Sequence, residues 1–225
     1  MRPIDIIQCD PTVPVGVFGT LLTEWQVPFR ITRPAAGESL PADTQAVIIL
    51  GGTMGVHDVP SHPFLSPLKT FMAQTVAEGT PLLGICLGAQ LLADVSGGVV
   101  SSNRCGEQGL VNLSLTAAGL TDPFFAGCDW QFQAFQWHND SFSIPPGALH
   151  LAASARCCGQ GFRIGNAWGI QFHPEVDRQI VAAWSQRSQN RAEMLDAFAA
   201  AEAEHLCLAK RLLANFLRVA RQLSC

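Results

Sequence analysis

Charge is scarce in this chain: Asp, Glu, Lys and Arg make up 14% of its 225 residues, against 48% hydrophobic ones. So apolar a composition excludes an intrinsically disordered segment, which needs the opposite balance. Basic residues do not predominate, and a formal net charge of −4 provides no field for nucleic acid or anionic lipid. No apolar run approaches the roughly 20 residues of a membrane-spanning helix. Met1-Arg2-Pro3 leads into only a short apolar stretch before Gln8 and Asp10, unlike a secretory leader. No C-x-x-C occurs among the eight cysteines, and the adjacent Cys157 and Cys158 cannot pair with each other without strain. Reduced thiols and a cytoplasmic location are therefore expected. Of the six histidines only His57 and His62 lie close in sequence, with no third ligand nearby, so neither a metal nor another cofactor is expected.

What the chain has instead is alternation. Residues 4–8, 28–31, 46–50 and 81–85 read as strands, and residues 17–25, 65–77 and 87–96 as helices between or after them. The run at 46–50 is apolar without interruption, the mark of a strand buried on both faces. This pattern predicts a parallel sheet covered by helices on both sides. Beyond residue 96 the strands crowd together, at 109–115, 130–137, 149–153, 161–164 and 167–172. They read as an antiparallel edge or flap on the same domain, for a mixed sheet of about seven strands. The glycines of Ser96-Gly97-Gly98 end a helix and do not open one, so they read as a helix stop, not a phosphate loop.

From Gln189 onward the composition shifts to good helix formers. Met194, Phe198, Ala201, His205, Leu208, Leu212, Phe216 and Val219 keep three- and four-residue spacing. The expectation is one domain over 1–188 with a helical extension over 189–225, packed on that domain or on a partner, including a second copy in a homodimer. His205 reads as a packed helix residue and not as a ligand.

Within this frame Gly84-Ile85-Cys86-Leu87-Gly88-Ala89-Gln90 stands out, following Pro81-Leu82-Leu83 directly. A buried strand, a tight glycine-flanked turn and a helix hold one thiol at a strained elbow, beside the free N–H groups of the helix N-terminus. That position favours the thiolate, the reactive form. Alone, such a segment does not separate a nucleophile from an inert core thiol. A second segment, Gly169-Ile170-Gln171-Phe172-His173-Pro174-Glu175, ends a strand in a histidine with a carboxylate two residues on. Cysteine, histidine and glutamate have the complementary roles of nucleophile, base and orienter. The alternative is a surface histidine beside a glutamate that caps a helix over 176–188. A third segment, Ile48-Ile49-Leu50-Gly51-Gly52-Thr53-Met54-Gly55, is either an ordinary strand-to-loop turn or a source of a bare N–H for a developing oxyanion. An α/β-hydrolase is excluded by order, because the acid follows the histidine.

Taken in order, these segments resemble the class I glutamine amidotransferases, above all stand-alone proteins similar to the glutaminase domain of GMP synthase. The likeness runs over about residues 4–185. It takes in Pro63-Phe64-Leu65, Leu91-Leu92-Ala93, Gly97-Gly98, Glu107 with Gly109, the segment Phe135 to Phe142, and Gln160-Gly161-Phe162-Arg163. Three positions depart from it: Thr53 where proline is common, Gln108 within the usual E-I-G, and Gly161 for an alanine. The resemblance implies a flavodoxin-like α/β fold with a mixed, mostly parallel sheet. It further implies that Cys86 forms a γ-glutamyl thioester, with His173 as base and Glu175 as its orienter. Gly52 and Leu87 would supply the oxyanion hole, and Gln90, Trp137, Asn139 and Asp140 would grip glutamine. His138 is open between a second base and a structural role, and Arg163 with Glu107 could anchor the flap as an ion pair. A separate ammonia-accepting synthetase is the implied partner. A γ-glutamyl peptidase using the same three residues on larger γ-glutamyl amides is the competing activity.

Overall fold

In the computed structural model, which describes residues 3–222, the early apolar runs become β1 (Ile4–Ile7), β2 (Phe29–Thr32), β3 (Val47–Ile49) and β4 (Leu82–Ile85). Helix α1 (Gly16–Glu24) links β1 to β2, α2 (Leu65–Ala77) precedes β4 and α3 (Leu87–Val95) follows it. Then come β5 (Val100–Ser101), β6 (Glu107–Leu115), the short α4 (Ala117–Thr121), β7 (Gln131–His138), β8 (Ser141–Phe142) and β9 (Leu149–Ser154). The chain closes with β10 (Gly161–Ile164), β11 (Ala167–Ile170), α5 (Arg178–Trp184) and α6 (Arg191–Gln222).

Nine strands form one sheet in the order β2-β1-β3-β4-β11-β10-β9-β6-β7, and β5 and β8 pair separately. From β2 to β11 all pairings are parallel, in the flavodoxin-like order, and from β11 to β7 all are antiparallel. The expected flap is thus a continuation of the main sheet. β10 turns directly into β11 through Gly165 at φ +56, a conformation that glycine adopts at little cost. Four successive reversals bring β7 back to the sense of β11, so β4, β11 and β7 all end at the same rim of the sheet.

Alternating side chains of the parallel strands feed two cores. Ile6, Ile48, Leu83 and Ile85 face one side with Phe18 and Leu22 of α1; Ile7, Val47, Ile49 and Leu82 face the other, with Leu68 of α2 and Leu91 of α3. The C-terminal helix joins the first core. Leu208, Leu212, Leu213 and Phe216 pack there with α1 residues, and Phe216 lies edge-on to Trp168 at 6.4 Å. Asn215 donates to the carbonyls of Phe124 and Ala126, both at 2.9 Å. The earlier part of α6 packs Met194 and Phe198 against Phe135, Val176 and Val181. Among the described residues no helix is long and apolar enough to cross a membrane.

Candidate active site

The elbow lies where β4, held between β3 and β11, breaks into α3. Cys86 sits there at φ 50, ψ −105, an uncommon conformation for a residue with a side chain. Its surroundings enforce this. A Cβ on Gly88 would come within 2.2 Å of the Ile49 carbonyl oxygen, and one on Gly84 within 2.5 Å of the Gly88 oxygen. The two glycines therefore let α3 rest directly on β3 and β4. The Cys86 N–H donates to the Ile170 carbonyl at 2.8 Å, and the Cys86 carbonyl accepts from the Gln90 N–H at 2.9 Å. Among the described residues no partner accepts from the backbone N–H of Leu87, the first residue of α3, or from that of Gly52.

β11 ends one strand away, and the chain runs on to His173. The ring Nδ1–H donates to Glu175 Oε1 at 2.7 Å, and both side chains are buried. Among the described residues Nε2 has no nitrogen or oxygen partner. Cys86 lies on this side: His173 Cε1 and Cys86 Cβ would stand 3.2 and 3.5 Å from a Cβ on Gly51, so the ring and the thiol side chain flank the same point of the glycine loop. Burial by itself disfavours the imidazolium, but Glu175 and then Cys86 outweigh it and push His173 up to about 10. The capping alternative for Glu175 does not hold. The cap of α5 is Asp177, which accepts from the Ile180 N–H at 2.8 Å. The helix begins at Arg178, two residues later than expected, because Glu175 is turned inward.

Seven of the expected residues line one cavity of about 490 Å³: Gly52, Cys86, Gln90, Trp137, Asn139, Asp140 and His173. Glu175 lies behind His173, and Leu87 at the head of α3; neither lines the cavity. The Gln90 amide is engaged within the protein, donating to the Asp140 carbonyl at 3.3 Å and to Gln171 Oε1 at 3.2 Å. Asp140 in turn accepts from the Asn103 N–H at 3.0 Å and the Ser102 hydroxyl at 3.3 Å. His138 reaches the Asp140 carbonyl through Nδ1 at 2.9 Å, while its Nε2 stands 3.5 Å from Glu107 Oε2. These contacts brace the Asn139–Asp140 segment from below. Glu107 also accepts from Ser154 and Gln160. The expected ion pair between Glu107 and Arg163 is absent, because Arg163 extends to Asp122 at 3.1 Å. Among the described residues no group of His, Cys, Asp and Glu is arranged to hold a metal.

Two parts of the site were not singled out in the sequence. Trp184, at the end of α5, lines the cavity, packs edge-on against the His173 ring at 4.9 Å, and donates Nε1–H to the Thr12 carbonyl at 2.8 Å. In sequence it is one apolar helix residue among several. Asp10 accepts from the N–H and hydroxyl of Thr12 at 2.8 and 2.6 Å, and from those of Thr53. Burial opposes ionisation there, yet these hydrogen bonds hold the carboxyl below its ordinary range. Thr53 thereby accounts for its own departure from the familiar pattern: its N–H donates to Asp10 at 3.1 Å, and proline has none.

Comparison with known proteins shows the family and the fold of this chain. The family described as glutamine amidotransferase class-I matches residues 22–180. The glutamine amidotransferase-like protein YfeJ of Salmonella typhimurium is 30% identical over 173 residues, covering 74% of this chain and 72% of that protein. A glutamine-hydrolysing GMP synthase of Thermus thermophilus is 34% identical over 142 residues, which are 62% of this chain but 26% of the synthase. The chain thus spans about a quarter of the length of such synthases. The crystal structure of a Thermotoga maritima glutamine amidotransferase superposes with a TM-score of 0.88 at 26% identity, covering 95% of this chain and 97% of the other.

Proposed function

Because this chain belongs to the class I glutamine amidotransferases, we propose that it hydrolyses the side-chain amide of glutamine through a γ-glutamyl thioester on Cys86. His173 has already taken the thiol proton and holds it as imidazolium, and the Cys86 thiolate attacks the amide carbon. The tetrahedral oxyanion is held by the N–H groups of Gly52 and Leu87, each contributing about 3 kcal/mol in comparable sites. The C–N bond then breaks, His173 hands its proton to the departing ammonia, and afterwards it activates the water that releases glutamate. Glu175 fixes the imidazole by its Nδ1–H and stabilises the charged ring. Gln90, Trp137, Asn139 and Asp140 form the amino-acid end of the site. Gln90 acts there by holding the Asp140 carbonyl.

The observation that carries this reading is the buried His173–Glu175 pair, 2.7 Å apart, beside a cysteine held at φ 50 on the elbow. Ammonia is released or passed to a separate synthetase. The seven described cysteines are all free, which suits a reducing compartment such as the cytoplasm. The test is ammonia release from glutamine by wild type and by Cys86→Ser, which should keep the fold and lose turnover. Wild-type activity that survives Cys86→Ser would overturn the mechanism.

One observation supports a second reading. A cavity of about 490 Å³ walled by Trp137 and Trp184 is of the size that takes ligands larger than a single amino acid. A γ-glutamyl peptidase would use that room. Hydrolysis of γ-glutamyl-cysteine or γ-glutamyl anilide, dependent on Cys86 and unaccompanied by glutamine hydrolysis, would decide for it.

A further inference from the structure

Among the described residues the Glu175 carboxylate has a single anchor: Oε1 accepts from His173, and the buried Oε2 has no hydrogen-bond partner. Its aim is therefore set by the backbone of the Pro174–Val176 turn. Two helices hold that turn from different sides. The Glu175 carbonyl accepts from the Val17 N–H of α1 at 2.8 Å, so close that a Cβ on Gly16 would fall 1.9 Å from the same oxygen. The Val176 carbonyl, one peptide on, lies 3.0 Å from Nε2 of His205 on α6. His205 is 4% exposed and packs edge-on to Phe198 at 5.0 Å. A carbonyl only accepts, so Nε2 carries the proton; Nδ1 is buried and has no hydrogen-bond partner among the described residues.

We propose that His205 is a positioning residue for the reaction: as a neutral donor to the Val176 carbonyl it fixes the turn that aims Glu175 at His173, tying the C-terminal helix to the proton-transfer pair. This rests on the reading of Glu175 as the orienter of His173. Burial keeps the His205 ring neutral, against the opposing pull of the Val176 carbonyl, Glu175, the Pro174 carbonyl and Glu202. The groove beside it is lined by Cys128 and Asp129 and, from its own helix, by Glu204, Cys207 and Arg211. A second proton would sit on Nδ1, which has no acceptor, and would draw Glu175 away from His173.

A packing role and a positioning role separate in two variants. His205→Leu keeps apolar bulk and loses the donor, whereas His205→Gln keeps an N–H at a similar reach. With glutamine as substrate, His205→Leu should lower kcat by about tenfold with KM little changed, and His205→Gln should recover most of it. Phe198→Leu, which disturbs the same packing but no hydrogen bond, should leave kcat near wild type. The second readout needs no substrate: the rate of Cys86 alkylation by iodoacetamide against pH, followed by mass spectrometry. His205→Leu should displace that profile, and His205→Gln should restore it. Equal behaviour of the Leu and Gln variants, or an equal loss in Phe198→Leu, would overturn the proposal. If wild type fails to hydrolyse glutamine, the functional reading falls alone; a Cys86 profile unmoved by His205→Leu removes this one.

Discussion

Truncation of Phe216 to alanine tests whether α6 is part of the fold or an appendage to it. The side chain is fully buried, faces Trp168 edge-on at 6.4 Å, and belongs to the same core as β1, β3 and α1. A buried aromatic side chain removes roughly 150–250 Å² from water, which at about 25 cal/mol per Å² is worth roughly 4–6 kcal/mol. Core Phe→Ala substitutions cost about 3–5 kcal/mol. The two ranges meet near 4 kcal/mol, a large share of the roughly 5–15 kcal/mol that stabilises an ordinary domain. Urea unfolding followed by tryptophan fluorescence should show this loss as a lower midpoint. Lys210→Ala, on the exposed side of the same helix, should change stability by less than about 0.5 kcal/mol. A chain ending at residue 190 loses Leu208, Leu212, Leu213 and Phe216 together, more than the fold can spare, and should not unfold cooperatively. A Phe216→Ala cost below about 1 kcal/mol, or a stable 1–190 chain, would refute the reasoning and make the helix an attachment free to serve a partner.

Three other outcomes follow from the site. Brief iodoacetamide treatment should label Cys86 ahead of the exposed Cys158, and far ahead of Cys9, whose thiol burial and the Asp10 carboxylate push up to about 12; equal labelling of Cys86 and Cys158 would count against an activated nucleophile. His173, raised from 6.5 to about 10 in the folded protein, adds stability that is complete below pH 6.5 and is lost as pH climbs through 10. Unfolding free energy should therefore fall with rising pH across that window in wild type and stay flatter in His173→Gln, measured by urea titration at each pH. Thr53→Pro removes two donors from the Asp10 carboxylate and should destabilise the chain by about 3–6 kcal/mol, since hydrogen bonds to charged groups are worth about 1.5–3 kcal/mol each; an unchanged denaturation midpoint would show that Asp10 does not hold the glycine loop.

Residues that do their work through local chain geometry were legible in the sequence. Glycines 84 and 88 announce the elbow because only a missing Cβ allows that approach, and the apolar run at 46–50 announces a strand buried on both faces. The C-terminal helix was legible from spacing, but spacing cannot say against what a face packs. Contacts across the fold were hidden. Arg163 and Glu107 are both charged and both near the flap, yet they take different partners because β6 and β10 are separated by β9. The inward turn of Glu175 was open because Asp177, two residues later, supplies the cap that Glu175 was available to supply. Trp184 and Asp10 each hold a segment distant in sequence, and no local pattern marks such a partner.

The change of strand sense at β11 has a practical side. The ends of β4, β11 and β7 converge on one rim, so the opposite rim carries connections that never approach the thiol. Two of them, the turns at Gly147 and Gly165, are open: no atom lies within 4 Å of where a side chain would begin, and because their φ of +76 and +56 suits glycine, additions belong beside these residues and not in their place. Affinity handles, fluorophores or short peptide insertions placed at those turns would face solvent and leave the chemistry undisturbed. The molecule can thus be tethered to a surface by its back edge, with its cavity facing whatever donor or acceptor is brought to it.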